Sequence, residues 1–182
     1  LKYSSNMSTF SNNDIISQWL KKKGWVLYEH QLRVINKISK VKSILLVAPT
    51  GTGKTLAGFL PSILDCTERK IKKKGLHTLY ISPLKSLTYD IQRNLQKPIN
   101  DMNLDLNIEC RTGDTSYTKK KGQLVSPPTI LATTIESFAL MMSEKNSFKF
   151  FSDLKYVVID EVHSLINSKR GELLTLNLGR LK

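Results

Sequence analysis

Cysteine is nearly missing: Cys66 and Cys110 are the only two in 182 residues, and neither sits in a CxxC pair or at a metal-ligand spacing. Nothing therefore supports a zinc module. Cys66 falls in a helical pattern and Cys110 in a strand-like one, so both read as buried thiols, compatible with a reducing cytoplasmic setting. His30, His77 and His163 lie far apart and offer no zinc site either. No apolar run approaches the roughly 18 residues of a spanning helix, and no signal-peptide pattern opens the chain, so no membrane partner is expected. Acidic residues are scarce, 15 against 28 Lys and Arg, for a net charge of +13. That excess predicts attraction to a polyanion, and nucleic acid fits better than membrane. The hydrophobic content, 40%, supports one α/β domain with a real core, and the length is too short for two.

What is present is organised around Ile44-Leu45-Leu46-Val47-Ala48-Pro49-Thr50-Gly51-Thr52-Gly53-Lys54-Thr55. The branched apolar run predicts a buried strand, Gly51 and Gly53 punctuate a turn, and Lys54 and Thr55 open an apolar helical pattern. That order is the layout of a phosphate-binding loop. Backbone N–H groups of the turn, Thr50 to Gly53, cradle phosphate oxygens, and the helix N-terminus adds a favourable dipole. The Lys54 ammonium reaches the β- and γ-phosphates, and the Thr55 hydroxyl ligates Mg²⁺. Ala48 replaces the first glycine of the general pattern, so this is a variant form. A Gly-rich turn with no ligand is the alternative.

Along the chain, 1–11 is polar and Ser/Asn-rich, expected to be a weakly ordered end, and 12–182 the domain proper. A short helix stops at Gly24 and a second begins near Glu29. After the loop, a helix carries Pro61, which should bend it. Strands are predicted over His77–Ser82, Leu106–Arg111, Thr129–Thr133 and Lys155–Asp160. Helices are predicted over Leu84 to about Gln96, Tyr117–Val125, Ile135–Met142 and about Gly171 to Leu181. Alternating strands and helices imply an α/β fold with a mostly parallel sheet between helices, whose ligands gather at the strand tips.

Tyr156-Val157-Val158-Ile159 ends in Asp160-Glu161. A carboxylate at a strand's C-terminal end faces the ligand crevice, so Asp160 can bind Mg²⁺ and Glu161 can orient the attacking water. Alone, an acidic pair after a strand reads as a solvated turn. With the Lys54 loop it reads as the second half of an ATP·Mg²⁺ site.

The tetrapeptide Asp160-Glu161-Val162-His163, with Ala48 to Thr55, resembles motifs II and I of superfamily 2 helicases of the DEXH-box type. Leu79-Tyr80-Ile81-Ser82-Pro83-Leu84-Lys85-Ser86-Leu87 is similar to motif Ia, Arg111-Thr112-Gly113-Asp114-Thr115-Ser116 to the motif Ib region, and Thr133-Thr134-Ile135-Glu136-Ser137 to the Thr-Thr-Pro-Glu-Ser element. With Ser168-Lys169-Arg170-Gly171, these resemble the large helicase-related (Lhr) group and its DNA-ligase-associated branch. The likeness spans about Trp19 to Lys182. It implies a first RecA-like domain with ATP at one edge and single-stranded nucleic acid across the strand tips, DNA favoured over RNA, with a suggestion of DNA repair. Gln31 matches the glutamine that reads the adenine edge, its alternative being a polar residue on an exposed helix face. Tyr28 or Trp25 would stack on the base, and His163 would couple the ATP site to a partner domain.

The nucleic-acid surface is expected from three loops that follow strands: Pro83, Leu84 and Lys85; Arg111, Thr112, Gly113 and Asp114; and Thr133, Thr134 and Ser137. Binding of this kind is tolerant of sequence and falls with salt. The runs at Lys21, Lys72 and Lys119 read first as solvated surface, with Lys119 to Lys121 the best contact candidate. Ile135 replaces a usual proline, which loosens the turn at Thr133. Superfamily 2 motors need a second RecA-like domain carrying arginines for the γ-phosphate. Only 19 residues follow His163. The chain is thus expected to be a piece of something longer, binding ATP weakly and hydrolysing it slowly. Rival readings are a non-motor P-loop enzyme such as a nucleotide kinase, and an ATP-independent nucleic-acid-binding module.

Overall fold

The computed structural model describes residues 15–49, 51–68 and 75–181. They fall into two compact units, one holding residues up to 71 with Asn100–Leu104, the other residues 72–99 and those from Asp105 onward. The predicted weak order of 1–11 and the Lys72 run lie outside the described residues.

The first unit is helical. Helix α1 (Ile15–Lys23) buries Ile16, Trp19 and Leu20 at helical spacing and carries three lysines in its last turn, where cations suit the helix dipole. It stops at Gly24, whose φ of +64° only glycine adopts without strain. The Trp19 indole N–H donates to Asp101 at 3.3 Å, Lys23 pairs with the same carboxylate at 2.8 Å, and Trp25 packs edge-on against Trp19. Helix α2 (Glu29–Ile38) packs on α3 (Lys54–Glu68), which buries Ala57, Phe59, Leu60 and Ile63 and continues through Pro61. The strand predicted from Ile44 does not form. Leu45 and Val47 are 77% and 84% exposed, and the segment joins no hydrogen-bonded ladder among the described residues. An apolar run becomes a strand only when a neighbour satisfies its backbone groups.

The second unit is a four-stranded, all-parallel sheet in the order β2-β3-β1-β4. Its strands are β1 (Thr78–Ser82), β2 (Ile108–Arg111), β3 (Ile130–Thr134) and β4 (Tyr156–Ile159). The central strands β1 and β3 are buried along their whole length, as continuous apolar strands in a parallel sheet must be. Helices α4 (Lys85–Asp101), α5 (Tyr117–Val125), α6 (Ile135–Ser143), α7 (Ser147–Phe150) and α8 (Lys169–Gly179) accompany it, with a 3₁₀ turn at Val162–Ser164. Helix α6 packs against β1, β3, α7 and α8. Leu79, Ile81, Leu131, Phe138 and Met141 sit at the centre of the core they share. Helix α4 runs past the predicted end near Gln96 and continues through Pro98, which is buried together with Ile99.

Register aligns the strand ends. Ile81 lies opposite both Thr133 and Ile159, and Thr133 opposite Arg111, so the four strands end in one row. The segments starting at Pro83, Thr112, Ile135 and Asp160 therefore leave the sheet at the same end.

Candidate nucleotide and nucleic-acid sites

In the first unit, the loop before α3 has the backbone its sequence demands. Gly51 and Gly53 take φ of +76° and +73°. The Thr52 hydroxyl donates to the Pro49 carbonyl at 2.7 Å, and Lys54 folds back so that its ammonium donates to the Ala48 carbonyl at 2.9 Å. Thr50 lies outside the described residues. Thr55 occupies the first turn of α3, half-buried.

Gln31 is not on an exposed helix face. It is 3% exposed, its amide nitrogen donates to the Gly53 carbonyl at 3.1 Å, and its carbonyl oxygen accepts from the Tyr28 N–H at 2.9 Å. A single amide thus closes the first turn of α2 and holds the second glycine of the loop. The approach is so tight that a Cβ at position 53 would stand 2.6 Å from the Gln31 nitrogen. Tyr28 is half exposed and stacks on the His30 ring, with Trp25 55% exposed.

In the second unit, the acidic box turns sharply off β4. Glu161 adopts φ +51°, uncommon for a residue with a side chain and a conformation that clusters at functional sites. Its N–H donates to Oδ1 of Asp160 at 2.9 Å, while Oδ2 accepts from the Tyr80 hydroxyl at 2.6 Å. Each carboxylate oxygen keeps a further lone pair. These hard oxygens suit Mg²⁺, which takes one or two carboxylates along with waters and phosphate. Burial, then the bond to Asp160 and its negative charge, push the Tyr80 hydroxyl far above its ordinary pKa, so it stays a donor. His163 is largely exposed, with Nδ1 3.3 Å from a Glu161 carboxylate oxygen. The phosphate loop and the acidic box thus fall in different units.

The strand-tip edge differs from expectation. Arg111 is 5% exposed and ion-paired with Glu144, so its guanidinium is a buried structural charge and not a free phosphate ligand. Thr133 is fully buried and donates to the Arg111 carbonyl at 2.7 Å; Thr134 caps α6 by accepting from the Ser137 N–H; Thr112 and Ser137 are buried as well. Pro83 is buried too. These side chains shape the edge from within. What faces solvent is Leu84, Lys85, Gly113 and Asp114. Lys85 and Asp114 pair with each other at 2.7 Å, so a carboxylate shares this surface with the lysine. Helix α5, capped by Ser116, presents Lys119 and Lys121, and the Lys120 ammonium donates to the Gly113 carbonyl at 3.3 Å.

Two further residues shape these sites. Tyr80 is an aromatic with a polar tip between Leu79 and Ile81 in the fully buried β1, and that tip inside a buried run is the signal in the sequence. Arg170 sits within Ser168-Lys169-Arg170-Gly171, which had counted only as a likeness; it donates to the Pro83 carbonyl and to Glu136.

Comparison with known proteins agrees with this layout. The family model for DEAD/DEAH box helicases matches residues 28–182. The ATP-dependent helicase Lhr-Core of Sulfolobus acidocaldarius is 39% identical over 168 residues, covering 87% of this chain and 19% of that protein. The Lhr-Core of Methanocaldococcus jannaschii is 36% identical, covering 91% and 21%. Among solved structures, Mycobacterium smegmatis helicase Lhr bound to ssDNA and AMP-PNP superposes with a TM-score of 0.86 at 31% identity, over 96% of this chain and 23% of that one. The chain spans about a fifth of the length of these relatives. With a family match across residues 28–182, which take in the Ala48–Thr55 loop and the Asp160-Glu161-Val162-His163 box, the chain belongs to the DEAD/DEAH box helicases.

Proposed function

We propose that this chain is the first RecA-like, ATP·Mg²⁺-binding domain of an ATP-dependent helicase that tracks single-stranded nucleic acid, DNA in preference to RNA. The observation that carries the reading is the loop at the head of α3: two left-handed glycines, Lys54 at the helix start and Gln31 gripping the loop from behind. Left-handed glycines ahead of a helix start are the backbone that a phosphate-cradling turn needs, which supports the reading. The mycobacterial Lhr structure, which is bound to single-stranded DNA and AMP-PNP, supports the DNA preference.

In this reading Lys54 leaves the Ala48 carbonyl to neutralise the β- and γ-phosphates, and Gln31, whose amide holds Tyr28 and Gly53 here, has to release one of those bonds to meet the adenine edge. Thr55 and Asp160 would hold Mg²⁺, which supplies charge neutralisation on the transferring phosphoryl group. Glu161 orients the attacking water, and its αL backbone sets the carboxylate beside His163. A second RecA-like domain supplies the arginine for the transition state; in GTPases such an arginine is worth about 10³–10⁵ in rate. Lys85, the loop at Gly113 and the lysines of α5 take the phosphates of the strand, with little base selectivity. A cytoplasmic setting and a role in DNA repair belong to the same proposal.

The test is steady-state ATP turnover by this chain, with and without single-stranded DNA, beside Lys54→Ala, together with titration of a fluorescent ATP analogue. Lys54-dependent nucleotide binding with negligible turnover is expected. Nucleotide binding that survives Lys54→Ala unchanged would remove the loop from the site.

A further inference from the structure

The segment after the acidic box is built with more care than a connection needs. The Ser168 hydroxyl donates to the Leu165 carbonyl at 2.8 Å and accepts from the Gly171 N–H at 3.1 Å, capping α8. A Cβ at Gly171 would stand 2.1 Å from that same Leu165 oxygen, so only glycine lets the first turn of α8 press so closely on the turn before it. Leu165 itself is buried in the core. The backbone on either side of Arg170 is thereby fixed, and the side chain is aimed.

Its target is the strand-tip edge. Nη2 of Arg170 donates to the Pro83 carbonyl at 2.6 Å, and Nε donates to Oε1 of Glu136 at 2.7 Å. Pro83 is the first residue after β1, and Glu136 lies in the first turn of α6, just after β3. The planar fork of a guanidinium reaches two acceptors at fixed angles, which an ammonium cannot. Burial would raise the Glu136 pKa, but the Arg170 bond and charge outweigh it and hold the carboxyl below its ordinary range.

We infer that Arg170 is a positioning residue for the nucleic-acid surface: one guanidinium sets the spacing of the Pro83–Lys85 loop and the Thr134–Ser137 turn, without itself taking a phosphate. The inference rests on the proposed reading of this edge as a nucleic-acid surface. Both donors that point at the two loops are already engaged by protein acceptors, and the turn that aims them belongs to the same connection as Asp160 and Glu161. The spacing of the loops is therefore tied to the position of that connection.

The experiment measures binding of fluorescein-labelled oligo(dT) to this chain as a function of salt, for wild type, Arg170→Ala, Arg170→Lys and Glu136→Ala. Arg170→Ala should weaken binding about tenfold, as expected for losing two charge-assisted hydrogen bonds. Arg170→Lys should recover only part of that loss. The slope of log affinity against log salt should stay as in wild type, because no phosphate contact is lost. The double variant Arg170→Ala/Glu136→Ala should be no weaker than Arg170→Ala alone. Hydrogen exchange at 83–88 and 134–138 should quicken in Arg170→Ala while that of α2 and α3 stays unchanged, which separates loosened loops from a damaged fold. A slope reduced by about 0.7, the single-strand value for one phosphate, would make Arg170 a direct contact and overturn the inference. Wild-type affinity in Arg170→Ala would overturn it while leaving the nucleic-acid reading intact. No binding by wild type even at low salt would overturn both.

Discussion

The Tyr80 hydroxyl, on a side chain 1% exposed in the middle of β1, donates to Oδ2 of Asp160 across the strand pair at 2.6 Å. A hydroxyl buried this deeply with a carboxylate as acceptor is an orienting device. It fixes the rotation of the Asp160 carboxylate and leaves the other oxygen to its neighbour's N–H. A donor behind a metal-binding carboxylate sets its geometry and basicity, and Tyr80 would do so for Asp160 in the proposed Mg²⁺ site.

Tyr80→Phe removes that hydroxyl with almost no change of volume. The concentration of Mg²⁺ needed for half-maximal binding of a fluorescent ATP analogue should rise, by about tenfold on the scale of outer-shell substitutions. Affinity measured at saturating Mg²⁺ should change little, and folding stability should fall by about 1 kcal/mol, the usual worth of one hydrogen bond. An unchanged Mg²⁺ requirement would show that Asp160 is held by its own turn alone.

Gly53 is the position at which loop and helix meet most closely. Gly53→Ala would place a methyl 2.6 Å from the Gln31 nitrogen in a backbone with φ of +73°. The strain of a side chain in the left-handed region is about 1–2 kcal/mol, before the clash is counted. Nucleotide binding should be lost, and the thermal midpoint should fall. In Gln31→Ala/Gly53→Ala the clash is gone but the backbone strain remains, so the midpoint should recover in part while nucleotide binding does not. Full recovery of binding in the double variant would mean that Gln31 serves only to hold the loop and makes no contact with nucleotide.

Much of the fold was legible because local chemistry declared it. Gly24 ends α1 with a positive φ, Glu29 opens α2, and α5 spans the predicted Tyr117–Val125. The four strands of the sheet were found from apolar runs, and their shared register explains why motif-bearing loops gather at one end. The segment at Ile44 misled because its apolar run says nothing about whether a neighbouring strand takes up its backbone groups. The site was legible in its backbone parts, such as the glycine turn. It was less so in its charges. Arg111 reads as a phosphate ligand in sequence, since nothing in the chain near it reveals that Glu144, 33 positions later, takes its guanidinium inside. Thr133 and Thr134 similarly present hydroxyls that the structure spends on the Arg111 carbonyl and on the cap of α6. A polar residue after a strand shows its type in sequence but not which way it turns.

Cys110 gives the fold a pH dependence of known sign. Its thiol is 2% exposed and donates to the Thr88 carbonyl at 3.1 Å. Burial pushes its pKa up to about 11 from an ordinary 9.0, against the opposing pull of the Lys119 charge. Below pH 9 the thiol is neutral folded or unfolded, and the full stability is present. Between 9 and 11 the unfolded thiol ionises while the folded one does not, so the unfolded state gains and stability falls. Two pKa units correspond to a loss on the order of 2 kcal/mol over that window. Tyr80 pushes in the same direction but at higher pH, and it is common to wild type and Cys110→Ala. Urea midpoints measured from pH 8 to pH 10.5 should therefore fall more steeply for wild type than for Cys110→Ala. At pH 8 a disulfide reagent should modify Cys110 only as fast as the chain unfolds. Parallel curves, together with rapid labelling of the native protein, would show that the thiol ionises as if exposed and that the strand end around Arg111 opens readily.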